Sequence, residues 1–89
     1  MYTIVFTREA QEDVAALQRR SPQALRKLIK LLGELREHPR TGTGQVEQLK
    51  HFGTETWSRR LDREHRLVYE IHDTEIVVLV LSAFGHYTK

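Results

Sequence analysis

The chain has 89 residues, 39% hydrophobic and 29% charged, and no cysteine. That length supports one hydrophobic core and leaves no room for a separate cofactor domain, and the composition is too apolar for a disordered chain. The lack of thiols excludes a disulfide framework, a thiolate metal site and a cysteine nucleophile.

The formal net charge is +2, but residues 1–40 carry eight Lys or Arg against five acids, whereas residues 41–89 carry six against seven. The bias mildly favours a polyanionic partner. The N-terminus has no long apolar run behind a basic start, and no stretch has the length of a membrane span, so a cytoplasmic protein without a membrane role is expected.

Tyr2 to Phe6 is β-branched and aromatic and reads as a first strand. Thr7 caps a predicted helix from about Arg8 to Arg20, in which Ala10, Val14 and Leu17 recur at helical spacing. Ser21-Pro22 starts a second helix, with Leu25, Leu28, Ile29, Leu32 and Leu35 assigned to its apolar face. His38-Pro39 ends it, since a residue before proline avoids helical geometry. Thr41 to Gly44 reads as a loop, and Glu47 follows it in the same irregular stretch.

Trp57 to Leu61, His65 to Ile71 and Glu75 to Phe84 then read as strands joined by turns too short for anything but antiparallel hairpins. The last of these is apolar on both faces and belongs inside the sheet. No repeat or low-complexity segment is visible. The expectation is one α+β domain over residues 1–89, two N-terminal helices packed on a twisted antiparallel sheet.

Arg59, Arg60, Arg63 and Arg66 fall on two adjacent strands and their turn, where alternation keeps them from sharing one face. A solvated hairpin tip and a phosphate-binding patch are equally compatible with that run. Arg66 differs because it sits inside a strand beside apolar positions, so it needs a carboxylate or phosphate partner. Glu47, Lys50 and His51 read by themselves as surface residues, Trp57 as a core anchor, and His38 and His72 as loop residues. His65 reads as a strand-end residue. His86-Tyr87 lies just past an apolar strand, placed for the side chains to face a groove, although Tyr87 also suits closure of the core.

The five histidines lack metal-ligand spacing, and neither a nucleotide-binding glycine loop nor a serine hydrolase motif is present. What remains is acid-base chemistry supported by cations. RNA transesterification needs this: a base for the ribose 2′-hydroxyl, cations for the charged phosphorane and an acid for the leaving 5′-oxygen.

Four ordered pieces, Gly42 to His51, Trp57 to Arg60, Glu64 to Tyr69 and Gly85-His86-Tyr87, together resemble the YoeB (Txe) toxins of type II toxin-antitoxin systems, within the RelE-like superfamily. The resemblance implies a RelE-like fold and ribosome-dependent, metal-independent cleavage of mRNA in the ribosomal A site, leaving a 2′,3′-cyclic phosphate. No cofactor is implied. By position it makes Glu47 the general base, Arg66 the phosphate-stabilising cation, His86 the general acid and Tyr87 a residue that orients the substrate.

The same resemblance assigns RNA contacts to Lys50 and Arg59, and the charge run adds Arg60. It further implies a homodimer, a YefM-like antitoxin that neutralises the toxin, and operator DNA bound only through that complex. Two departures stand out: Thr88-Lys89 extends past the His-Tyr pair, and Val46 precedes the glutamate where the family often has proline. The rival reading is a non-catalytic module that holds RNA or the ribosome through the same arginine-bearing sheet.

Overall fold

The computed structural model describes residues 1–50, 52–75 and 77–83 of the chain. The expectations for His51, His86 and Tyr87 concern residues outside that set.

Strand β1 (Thr3–Phe6) leads into helix α1 (Arg8–Arg20). Thr7 Oγ1 accepts the Ala10 N–H at 3.0 Å, satisfying one of the free donors at the helix start. Helix α2 (Pro22–Glu37) starts on Pro22 as expected, but Ser21 makes no side-chain capping bond. The proline's fixed backbone and missing N–H suit that first helical position without such a cap.

The apolar face of α2 is rotated from the one expected. Ala24, Leu28, Leu31 and Leu35 are buried, Leu25 and Leu32 are half-buried, and Ile29 is 61% exposed. The true core stripe steps by four and three residues from Ala24, which places Ile29 on the outside.

The expected antiparallel sheet is mixed and has five strands in the order β1-β5-β4-β3-β2. Strands β2 (Glu47–Leu49), β3 (Thr56–Arg60), β4 (Arg66–His72) and β5 (Val77–Ser82) form an antiparallel run, and β1 joins β5 in parallel. β5 is thereby an interior strand, which suits a segment apolar on both faces. β2 was not expected at all. It is three residues at the sheet edge, and it moves Glu47 from a loop onto a strand.

Leu67, Tyr69, Ile71, Val78 and Val80 point to the helices and join Ala10, Leu17, Leu28, Leu31 and Leu35 in the core. By alternation, Arg66, Val68, Glu70 and His72 occupy the opposite face. Between Val68 and Tyr69 the register slips: Tyr69 pairs with Val80 but Val68 with Ser82, so β5 carries an extra residue there. Asp13 of α1 fixes the end of that strand, accepting the Ala83 N–H at 3.0 Å. No helix among the described residues is long and apolar enough to cross a membrane.

Candidate active site

The sheet face turned away from the helices brings Glu47, Ser58 and Arg66 together from three neighbouring strands. Glu47 pairs with Ser58 across β2 and β3, and Ser58 pairs with Val68 across β3 and β4. Ser58 is fully buried, and its hydroxyl accepts from Arg66 Nη1 at 3.1 Å. The same nitrogen lies 3.9 Å from Glu47 Oε1, at the outer limit of an ion pair. Arg66 thus has the carboxylate its position demanded, but at long range. Its firm contact is a neutral hydroxyl, which leaves much of its guanidinium available to a phosphate. Ser58 is a part of this site that the sequence did not disclose, since a lone serine in a strand has no distinguishing pattern.

The side chains of Glu47 and Arg66 are 63% and 25% exposed. The arginine is therefore set into the sheet while the carboxylate stands at its rim. Lys50, just past β2, is exposed on the same edge of the sheet. His72 Nε2 lies 2.9 Å from Glu70 Oε1 on the same face, so it is a strand residue with a partner and not the loop residue expected. Trp57 packs partly against the core, as expected, and its indole N–H donates to Glu55 Oε2 at 2.8 Å. His65 is buried just before β4, with Nδ1 2.9 Å from Asp62 Oδ1.

The expected RNA contact by Arg59 is overturned. Its side chain is buried on the helix side of the sheet, and each of its five N–H groups has an acceptor. Nε donates to the Tyr69 hydroxyl at 3.1 Å. Nη1 donates to Glu34 Oε1 at 2.7 Å and the Thr43 carbonyl at 3.3 Å, and Nη2 to the carbonyls of His38 and Thr41 at 2.9 and 2.7 Å. Tyr69 in turn donates to the Pro39 carbonyl at 2.7 Å. No donor remains for a phosphate. Arg59 instead anchors the connection from α2 to β2, the segment that delivers Glu47 to the sheet. Its neighbour Arg60 is exposed, as a residue that contacts RNA must be.

Electrostatics tighten the anchor. The Thr43 backbone N–H holds the Glu34 carboxyl below its ordinary range, against a smaller upward push from burial and with further help from Arg59. Burial pushes the Tyr69 phenol up, keeping it a neutral donor. Gly42 adopts φ +130°, and a Cβ there would lie 2.5 Å from Glu34 Oε1 and 2.9 Å from Arg59 Nη1. Only glycine lets the backbone pass so close to the buried pair.

A second clasp ties the same connection near its start, at Arg40. Arg40 donates to both carboxylate oxygens of Glu55, at 2.7 and 2.9 Å, and to Asp73 at 2.7 Å, while Tyr2 donates to Asp73 at 2.5 Å. Among the described residues no group of three or more His, Asp or Glu side chains could hold a metal ion.

Residues 6–87 match the family described as YoeB-like toxin of bacterial type II toxin-antitoxin system. A protein named Toxin YoeB from Mycobacterium bovis is 36% identical over 87 residues, covering 98% of this chain and all of that relative. Among solved structures, the YoeB dimer from Staphylococcus aureus aligns with a TM-score of 0.83 at 33% identity, over 97% of this chain and 98% of that one. The heterotetrameric YoeB-YefM complex from the same organism aligns with a TM-score of 0.81 at 32% identity, over 98% and 99%. With a two-helix layer on a five-stranded sheet and a match over nearly its whole length, the chain belongs to the YoeB-like toxins of bacterial type II toxin-antitoxin systems.

Proposed function

We propose that this chain is a metal-independent endoribonuclease that cleaves messenger RNA in the ribosomal A site and so stops translation. The observation that carries this reading is the approach of Glu47 and Arg66 across the buried Ser58 on the sheet face turned away from the helices. It places a carboxylate base beside a cation that has donors to spare.

Glu47 takes the proton from the ribose 2′-hydroxyl. The 2′-oxygen attacks phosphorus, and Arg66 donates to the non-bridging oxygens as negative charge builds on the phosphorane. His86 gives its proton to the 5′-oxygen as the phosphorus to 5′-oxygen bond breaks, leaving a 2′,3′-cyclic phosphate and a 5′-hydroxyl end. Tyr87 orients the substrate. The roles of His86 and Tyr87 rest on their place in the family pattern.

Lys50 and Arg60, exposed on the β2 edge and at the end of β3, hold the RNA backbone. A carboxylate standing at the rim of an edge strand is enclosed only when a partner closes over it. That supports a reaction completed on the ribosome in preference to free RNA. By analogy with the solved YoeB dimer and YoeB-YefM complex, this toxin forms a homodimer and binds a YefM-like antitoxin; the family resemblance extends this to neutralisation by that antitoxin and to operator DNA met only through the complex. A cytoplasmic location follows from that role, and one domain spans residues 1–89.

Induced expression tests the reading. The unaltered chain arrests growth and leaves A-site cuts, and Glu47→Gln and His86→Ala relieve both; arrest at full strength by both variants would refute these roles.

A further inference from the structure

At the tip of the β3–β4 hairpin, a cleft of about 380 Å³ opens between α2, the connection into β2 and the turn that follows Arg60. Lys27, Arg60 and Arg63 line it together with Gly44, Gln45 and Asp62. We infer that this cleft is a second phosphodiester subsite, which holds RNA backbone a short way along from the bond broken beside Arg66. The inference rests on the reading of Glu47 and Arg66 as the RNA-cleaving pair.

The cations of the cleft outnumber its one carboxylate three to one and, among the described residues, are not ion-paired: the ion pairs join other side chains and none includes Lys27, Arg60 or Arg63. Asp62 faces the cleft's wall but is committed to the turn: its Oδ1 accepts the backbone N–H groups of Glu64 and His65, each at 2.8 Å, and lies 2.9 Å from His65 Nδ1. Partial burial pushes the Asp62 carboxyl up, but those contacts together outweigh it and hold the group below its ordinary range. Its oxygens are thus committed to the hairpin, and its single negative charge leaves the cleft net positive.

One residue links the cleft to the proposed active site across the β3–β4 pairing. Arg60 lines the cleft, and Arg60 lies directly opposite Arg66 in the pairing of β3 and β4. Like charges opposite each other destabilise a sheet unless something lies between or over them. An anionic strand passing from Arg66 over Arg60 into the cleft supplies that compensation, and a chain with one charge per nucleotide suits a row of separated cations.

The backbone leaves room for it. Gly44 takes φ +95°, and a Cβ there would lie 3.1 Å from the Arg60 carbonyl, so any side chain would crowd the cleft's inner wall. Gln45, at φ +54°, also sits in the left-handed region, where a residue with a side chain is held only by its surroundings. Here the Arg60 N–H donates to the Gly44 carbonyl at 2.6 Å, fixing the wall to the hairpin.

The test compares salt dependence of binding, with Glu47→Gln as the background so that RNA stays intact. One variant adds Lys27→Ala and Arg63→Ala. A control adds Arg19→Ala and Arg20→Ala, which removes the same charge from the exposed end of α1. Binding is measured to a short single-stranded RNA and to vacant ribosomes over a range of salt, and thermal unfolding verifies that each variant is folded.

The cleft variant is expected to lower the slope of log affinity against log salt by about 1.4, at roughly 0.7 per lost contact on a single strand, with the control unchanged. A change on the oligonucleotide identifies message backbone as the occupant, and a change on vacant ribosomes alone identifies ribosomal RNA. Slopes equal to the background on both probes, or an equal fall in the control, would overturn the proposal; the first result would instead fit a cleft for an acidic polypeptide. Cleavage by the unaltered chain is scored in parallel. Cutting without a slope difference defeats the cleft alone, while a slope difference without cutting supports the cleft and defeats the nuclease reading.

Discussion

Glu47 and Arg66 come within 3.9 Å of each other from strands two apart, and the hydroxyl of Ser58 on the strand between them holds the arginine at 3.1 Å. This arrangement makes Ser58 a positioning residue. Ser58→Ala removes one hydrogen bond to a charged group, worth about 1.5 kcal/mol, and so lowers the cleavage rate by about tenfold without abolishing it. Arg66→Ala, which removes the charge itself, is expected to cost about 10²–10³ in rate. Single-turnover cleavage on programmed ribosomes checks the ranking. A Ser58→Ala rate equal to that of the unaltered chain would remove the serine from the site.

Arg59 and Arg60 are adjacent in sequence and opposite in role. Arg59→Ala leaves Glu34 without its cation and several carbonyls without donors, so unfolding free energy is expected to fall by about 3 kcal/mol. Arg59→Lys recovers only part of this, because an ammonium cannot reach five acceptors. Arg60→Ala is expected to change stability little and to weaken RNA binding. Urea unfolding and RNA titration of both variants separate the roles; a stable Arg59→Ala protein with weakened RNA binding would restore the surface reading.

Gly42 marks where the anchored connection passes closest to its anchor. Gly42→Ala places a methyl 2.5 Å from Glu34 Oε1 at a φ of +130°, so a loss of about 1–3 kcal/mol is expected in the same unfolding assay. A neutral substitution would mean that the Glu34–Arg59 pair yields freely.

Acid should unfold the protein mainly through three half-buried carboxylates, with the exposed Asp73 also held low by Tyr2 and Arg40. Glu34 is held low by the Thr43 N–H and Glu55 by Arg40, while in Asp62 an upward push from burial is outweighed by the Glu64 N–H and His65. Each binds protons less readily when folded than when unfolded, so its stabilising contribution is complete above about pH 4–5 and disappears as pH falls through the depressed folded value. Thermal midpoints are therefore expected to be flat near neutrality and to fall steeply in acid. Glu34→Gln should make the acid limb shallower; an unchanged limb would show that Glu34 does not contribute to it.

Both helices were legible in the sequence because their ends carry local chemistry: Thr7 caps one, Pro22 opens the other and His38-Pro39 closes it. The strands from Thr56 onward were legible from alternation and short turns. β2 was not, because Glu47-Gln48-Leu49 contains no β-branched residue and is ordered only by pairing with β3. The parallel partnership of β1 with β5 joins residues more than seventy apart, which no local pattern encodes.

The burial of Arg59 was partly readable. Alternation puts it on the face of Trp57, the expected core anchor, but its acceptors on Glu34 and in the segment from His38 to Thr43 are distant in sequence. For the site, the types of residue were readable from acid-base chemistry, and their convergence came only from the family pattern. The fold adds a physical reason for one half of it, since the short edge strand carries Glu47 to the row of Ser58 and within reach of Arg66.

The central claim is that these side chains cut RNA and do not merely hold it. Mapping 5′ ends on messages in translating ribosomes, after addition of the purified chain or its Glu47→Gln variant, tests this most directly. New 5′-hydroxyl ends are predicted at A-site codons with the unaltered chain, and at least a hundredfold fewer, in line with the roughly 10²–10⁴ of general-base catalysis, with the variant. Saturable ribosome binding without new ends, or equal cutting by both proteins, would contradict it.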